Sequence, residues 1–224
     1  MSNIWDKMEV CADLMRYKMM ARHGMIDIDP ILEKYNWENH IYISDHYRRG
    51  HVEIVDQREK YGLYILHATV FPLIDSSAPI WGFDAVCGKN KITGAFHDFS
   101  LPGQEDHPMS KWWEEKSAGY SWNKKRELPA WAQAIFSKDM VAAGNVQELV
   151  EVDQFINLGL DALDYYLDNS DKYRQETADY SQLQNKYCQF QKQNPHVIRS
   201  MVSMGYEQAI IEQFVEEVLF PEIQ

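Results

Sequence analysis

Between about Asn39 and Pro102 apolar and polar residues alternate with a period of two, in runs of strand length. The runs read "HIYIS", "HVEIVDQ", "GLYILHATVF", "PIWGFDAVCG" and "ITGAFHDFS", separated by short loops rich in Gly, Pro, Asn or charge. Alternation of this kind places one face of each strand in a core, and short connections join antiparallel neighbours, so the pattern predicts a meander. Before it, Trp5, Met8, Ala12, Met15 and Met19 recur at intervals of three and four, which predicts a helix from Ile4 to Arg22 with Gly24 as its cap.

After Pro102 the period lengthens to that of helices, in "SKWWEEKSAGY", "ELPAWAQAIFS", Glu148 to Leu167, and about Asp171 to Gln193. Pro195 interrupts the pattern just past Asn194, and Gly205 separates two final short helices, the last being "EQAIIEQFVEEVLF". Strands first and helices afterwards mean an α+β fold, a central antiparallel sheet with helices packed on its faces. No linker or repeat divides the chain, so residues 1–224 are expected to form one domain.

Two strands carry groups foreign to an apolar core. Facing positions in an antiparallel hairpin have numbers with a constant sum, so a loop centred near Asp75 and Ser76 sets His67 opposite Asp84 on one side of the sheet. A His beside a carboxylate in a partly apolar pocket can hold a proton near neutral pH and deliver it to a ligand. The same pair is also what a core needs if a buried His is to satisfy a buried Asp. The preceding hairpin, centred at Lys60, brings Glu53 to His67 from the other side; a register shifted by two would put Val55 there and leave Glu53 as an edge charge.

Composition narrows the partners. The chain has 224 residues with 13% aromatic content, and its formal charge of −12 argues against nucleic acid, whose phosphates require a concentrated basic face. No apolar run is long enough to span a bilayer, and "MSNIWDKMEV" lacks the order of a secretory signal, so a cytoplasmic location is expected. Cys11, Cys87 and Cys188 are far apart and form no metal-ligand spacing, and no Gly-rich phosphate loop is present. Redox chemistry on this chain would therefore draw its electrons from a separate protein.

"GLYILHATVFP", "PIWGFDAVCG", "DFSLPG", "RELPAWAQAIFS", "KYCQFQKQ" and "EEVLFPEIQ" occur in order from about Arg49 to the last residue. In this the chain resembles the ferredoxin-dependent bilin reductases. The resemblance implies a three-layer α/β/α sandwich with biliverdin IXα between the sheet and the C-terminal helices. Reduced ferredoxin would supply single electrons, with bilin radicals as intermediates and no bound metal or flavin. Asp84 matches the family's central proton donor, His67 its partner, and Glu53 the acid that protonates the D-ring vinyl group in members forming phycocyanobilin. Ser100 and Arg126 match positions near the bilin, with Arg126 assigned to a propionate because a guanidinium forks onto a carboxylate. Arg126 read alone is one more solvated charge. His51 and His196 complete the substrate-binding candidates.

One position departs from the family. Where an Asp usually precedes the penultimate helix, this chain has Asn194, which cannot act as an acid; His196 or water would take over, or the reaction order differs. Asn194 and the short N-terminus point to phycoerythrobilin as product, as in a branch of small phage-associated reductases, with phycocyanobilin next. Other readings are a bilin carrier of the same fold without catalysis, and an α+β domain without ligand chemistry. A monomer is expected. Because ferredoxins are acidic, docking needs a local positive patch, for which Arg48 and Arg49, Lys89 and Lys91, and Lys124, Lys125 and Arg126 are candidates.

Overall fold

The computed structural model describes residues 3–22, 25–27, 35, 37–100 and 106–224. Its middle layer is an antiparallel sheet in which the strands lie side by side in chain order. Among the described residues these are β1 (Met25–Asp27), β2 (Glu38–Ile43), β3 (Tyr47–Gln57), β4 (Leu63–Pro72), β5 (Ile80–Gly88), β6 (Lys91–Ser100) and β7 (Val141–Ala143). The five longer strands are the alternating runs of the sequence. β3 turns into β4 through a single helical turn, α2 (Arg58–Tyr61), closed by Gly62 at φ 63°, a left-handed conformation that suits glycine.

One sheet face packs on α1 (Ile4–Ala21), α3 (Pro108–Ala118) and α5 (Leu149–Asn169). The helix expected near the N-terminus forms because Asn3 and Asp6 make a reciprocal capping box and Met8, Cys11, Ala12, Met15 and Met19 share a buried stripe. Gly24, its expected cap, lies outside the described residues. α5 approaches the sheet closely at Gly159, where a Cβ would stand 2.6 Å from the Phe83 ring. That ring is itself stacked on Phe155 at 4.6 Å between centroids.

The opposite face carries a second apolar cluster, built with α6 (Ser181–Gln191), α7 (Pro195–Ser203), α8 (Gln208–Phe214) and the π-helical turn Val215–Leu219 that continues α8. The architecture is thus α+β, with helices on both faces of the sheet, as expected. Two helical expectations are corrected. In "ELPAWAQAIFS" only α4 (Ala130–Gln133) is helical, because Pro129 starts it and the chain then turns so that Ser137 N–H bonds to Asp98. The segment from Asp171 to Gln193 breaks before α6. There Gln175 and Tyr180 donate their N–H groups to Asp75 and Ile74 at 2.8 Å each, so this stretch bonds to the β4–β5 loop instead of to itself. Asp75 also holds Arg174 in an ion pair of 2.8 Å.

Candidate functional site

The register is the one the hairpin arithmetic requires, with Glu53 opposite His67 and His67 opposite Asp84. Alternation then puts Glu53, His67, Asp84 and Phe96 in one row across β3 to β6, on the face turned toward the C-terminal helices. That face is not solidly packed. Between it and α6, α7 and the α4 region lies a cavity of about 410 Å³ whose wall includes all four of these side chains. Its size and mixed lining are those of a small-molecule site.

Glu53, His67 and Asp84 are titratable groups of this wall, and burial moves each away from its charged form. Desolvation raises the Glu53 carboxyl to about 8, although Trp37 Nε1–H donates to it at 2.9 Å and partly opposes the rise. Desolvation alone raises Asp84 to about 7 and lowers His67 to about 4. At neutral pH the imidazole is therefore neutral, Glu53 is mostly protonated and Asp84 is divided about evenly between its two forms. This modifies the expectation of a proton shared between His67 and Asp84. The close contact of His67 Nδ1 is with Glu53, at 4.0 Å, and that nitrogen has no hydrogen-bond partner.

Asp98, on the same face two positions beyond Phe96, also lines the cavity. The alternation within β6 that selects Phe96 selects it too, and it opens the motif "DFSLPG", but the sequence alone assigns it no role. Its carboxylate accepts from Ser137 N–H at 2.8 Å, from the Ser137 hydroxyl, and from the Ser100 hydroxyl at 2.9 Å. Burial raises its pKa while these bonds hold it back. Above Gly82, two residues before Asp84, stands the Tyr187 hydroxyl, which accepts from Gln191 Nε2–H at 2.8 Å. Because Gln191 supplies a proton to this oxygen, the phenolic proton is free to point into the cavity.

The remaining candidates divide. Arg126 is exposed at the rim, its guanidinium 5.7 Å above the Phe96 ring and bonded to Thr93 O. Asn194 and His196 also line the cavity, but Asn194 Oδ1 accepts from His196 N–H at 3.0 Å and so caps the start of α7. Two candidates stand back from the wall. Ser100 spends its hydroxyl on Asp98 and borders a separate small cleft, which makes it a support of that acid. His51 is buried behind His67, with its Nε2 3.0 Å from Asn39 Oδ1 and its ring centre 6.3 Å from that of His67. Among the described residues, no group of His, Cys, Asp or Glu is arranged to hold a metal ion, and no helix is long and apolar enough to cross a membrane.

Comparison with known proteins shows the family and the fold. The phycocyanobilin:ferredoxin oxidoreductase of Synechococcus sp. strain CC9902 is 27% identical over 227 residues, covering 96% of this chain and 87% of the relative. The enzyme of the same name from strain CC9605 is 27% identical over 183 residues, 77% and 71% of the two chains. Among solved structures, a protein called PcyX superposes with a TM-score of 0.72 at 25% identity over 97% of this chain and 99% of its own. Tomato phytochromobilin synthase in complex with biliverdin shares the fold, with a TM-score of 0.75 at 14% identity over 93% and 82%. The family model for ferredoxin-dependent bilin reductase matches residues 3–221, which takes in α1 as well as the motifs from Arg49 onward. The chain belongs to the ferredoxin-dependent bilin reductases.

Proposed function

We propose that this protein reduces biliverdin IXα, bound in the cavity between the sheet and the C-terminal helices, with electrons from external reduced ferredoxin. The observation that carries this reading is the row of Glu53, His67 and Asp84 on the cavity wall, whose carboxyls burial raises so that they exchange protons near neutral pH. The biliverdin held by the tomato neighbour of the same fold supports the choice of ligand.

Each reduced double bond of the tetrapyrrole gains a pair of electrons, one from each of two reduced ferredoxins, and a pair of protons. An electron entering the bilin makes a radical anion, which is a far stronger base than the parent. Asp84 on β5, in its protonated form, is the group placed to neutralise it; solvent entering through the cavity returns the proton. Glu53 holds a second proton, and neutral His67 between the two acids can accept from one and donate to the other. The product we assign is phycoerythrobilin rather than phycocyanobilin. Asn194 offers an amide where an acid would serve A-ring reduction in phycocyanobilin formation, and as an α7 cap it is held in that role.

The test combines purified protein, biliverdin, ferredoxin, ferredoxin reductase and NADPH under low oxygen, followed by absorbance and by chromatography of the bilin. A reduced bilin co-eluting with phycoerythrobilin is expected. A bound biliverdin spectrum without product would instead favour a carrier, and an unperturbed biliverdin spectrum would overturn the reading altogether. Asp84→Asn should bind biliverdin within a few-fold of wild type and accumulate a paramagnetic bilin intermediate; full product yield from that variant would move the proton donor elsewhere.

A further inference from the structure

The motif "EEVLFPEIQ" borders the cavity and then crosses α6. The π-helical turn closes with Phe220 N–H bonded to Val215 O at 3.0 Å, and Leu219 and Phe220 enter the cavity wall. Glu222 and Ile223 then lie along one stripe of α6, formed by Asn185, Gln189 and Lys192 at intervals of four and three. The Asn185 amide takes both backbone groups of Ile223, as a neighbouring strand would. Its Nδ2–H donates to Ile223 O at 2.9 Å, and its Oδ1 accepts from Ile223 N–H at 2.7 Å. Gln189 Nε2–H donates to Glu222 at 2.7 Å, and the Cys188 thiol lies 3.7 Å from Pro221 O. Lys192, which caps α6, pairs with Glu222 at 2.8 Å and also with Glu216, one acid on either side of Phe220 in the chain.

This strap fixes one aromatic ring. Phe220 is buried, with its ring nearly perpendicular to that of His67 at 6.0 Å between centres and to that of Tyr187 at 6.4 Å. It therefore covers the imidazole from the side of the C-terminal helices. The titratable and charged groups around that imidazole come from elsewhere: Glu53, His51 and Arg49 from β3, Asp84 from β5 and the Tyr187 phenol from α6. Arg49 is turned toward the same segment, donating to Val218 O at 3.1 Å. The Phe220 side chain adds neither charge nor hydrogen bond to this group; its contribution is to exclude water. Desolvation is what lowers His67 to about 4, so water admitted past the ring would raise it toward 6.5. Ionisation of Glu53 and Asp84 by the same water would act in the same direction.

We infer that Asn185 is a positioning residue: by clamping Ile223 it seats the strap, and through the strap it holds Phe220 over His67 and keeps water from that end of the cavity. Asn185 itself lies outside the cavity lining, so its removal alters the wall only through the strap. The inference deepens the proposed bilin reduction and rests on it, because a dry imidazole between two acids matters to a wall that delivers protons. The seating of the strap needs no ligand, so it can be measured on the protein alone.

The experiment follows the His67 imidazole by NMR through a pH titration without bilin, its signals assigned by their loss in His67→Gln. Wild type should titrate near 4. Asn185→Ala and Phe220→Ala should each move the midpoint to about 5 or above. Gln57→Ala, which removes the bond to Tyr206 at another margin of the same layer, should leave it within about 0.3 of wild type. A wild-type midpoint above about 5.5, folded strap variants that titrate like wild type, or an equal rise in Gln57→Ala would overturn the inference. Should Asn185→Ala not fold, Asn185→Asp decides the matter, because a carboxylate still accepts from Ile223 N–H but cannot donate to Ile223 O. Its midpoint should fall between those of wild type and Phe220→Ala, and a wild-type value would overturn the inference. In the ferredoxin-driven assay the strap variants should gain an inflection in rate between about pH 5 and 6.5 that wild type and Gln57→Ala lack. Absence of product from wild type at every pH would count against bilin reduction instead, with the His67 midpoint still deciding the strap.

Discussion

Asp84 and Glu53 hold their protons because the fold removes them from water, and that has a measurable cost in stability. A carboxyl raised from its ordinary 3.8 to about 7, as for Asp84, binds its proton more tightly in the folded state, so folded stability declines as pH rises from about 4 to 7. Glu53 adds the same sign between 4.5 and about 8. His67, lowered from 6.5 to about 4, has the opposite sign and gains stability between 4 and 6.5, offsetting one of the acids there. The net loss is therefore steepest between about pH 6.5 and 7. Asp84→Asn removes one contribution while keeping the shape. Its stability relative to wild type should be equal near pH 4 and rise to a gain of about 1–3 kcal/mol at pH 8, less than the full shift because the carboxyl opens on a solvated cavity. Urea unfolding across that pH range checks it, and a gain independent of pH would show that Asp84 is ionised throughout.

Helix α7 illustrates how an element can serve the site through its ends. Pro195 occupies its first turn and Asn194 supplies the cap, so the sequence signal "QNPHV" that marks a departure from the family is also a helix start. Asn194→Ala should cost about 1 kcal/mol and loosen the cavity wall at His196 and Val197, weakening biliverdin binding. Asn194→Asp should keep the cap and restore both, as thermal unfolding and spectral titration would report; failure of Asp to restore binding would assign the amide a direct contact with the ligand. Legibility followed the same division. β3, β4 and β5 were readable because long alternating runs fix both face and register, and His67 and Asp84 came with them. β1 and β7, three residues each, carry no period to read. The helix expected across Asp171 to Gln193 failed because the backbone of residues 175 and 180 found partners in the β4–β5 loop, a tertiary choice no local pattern records. Asp98 and Tyr187 were missed for a related reason: each needs a partner distant in sequence, Ser137 for the first and the Gly82 backbone for the second, before it becomes part of a wall.

At the scale of the whole molecule the two helical layers are unequal. α1 and α5 sit on a continuous apolar face and are tied to each other by Lys7–Asp153 and Lys18–Asp164 ion pairs of 2.6 and 2.5 Å. The C-terminal layer is fastened mainly around its margin, by Gln57 Nε2–H to Tyr206 Oη at 3.1 Å, Tyr61 O–H to Met204 O at 2.9 Å, and Gln184 Nε2–H to Pro72 O at 3.1 Å, and it spans the cavity between. A ligand filling that space would bridge the sheet to this layer and leave the other untouched. At a free concentration about one hundred times its dissociation constant, a ligand specific for the folded state adds about 2.7 kcal/mol. For a chain of this length that corresponds to a rise in melting temperature of about 5–10 °C. Amide exchange should then slow across α6, α7 and α8 on adding biliverdin, with little change in α1. Protection confined to α1 and α5 would place the bilin on the opposite face of the sheet, away from Glu53, His67 and Asp84.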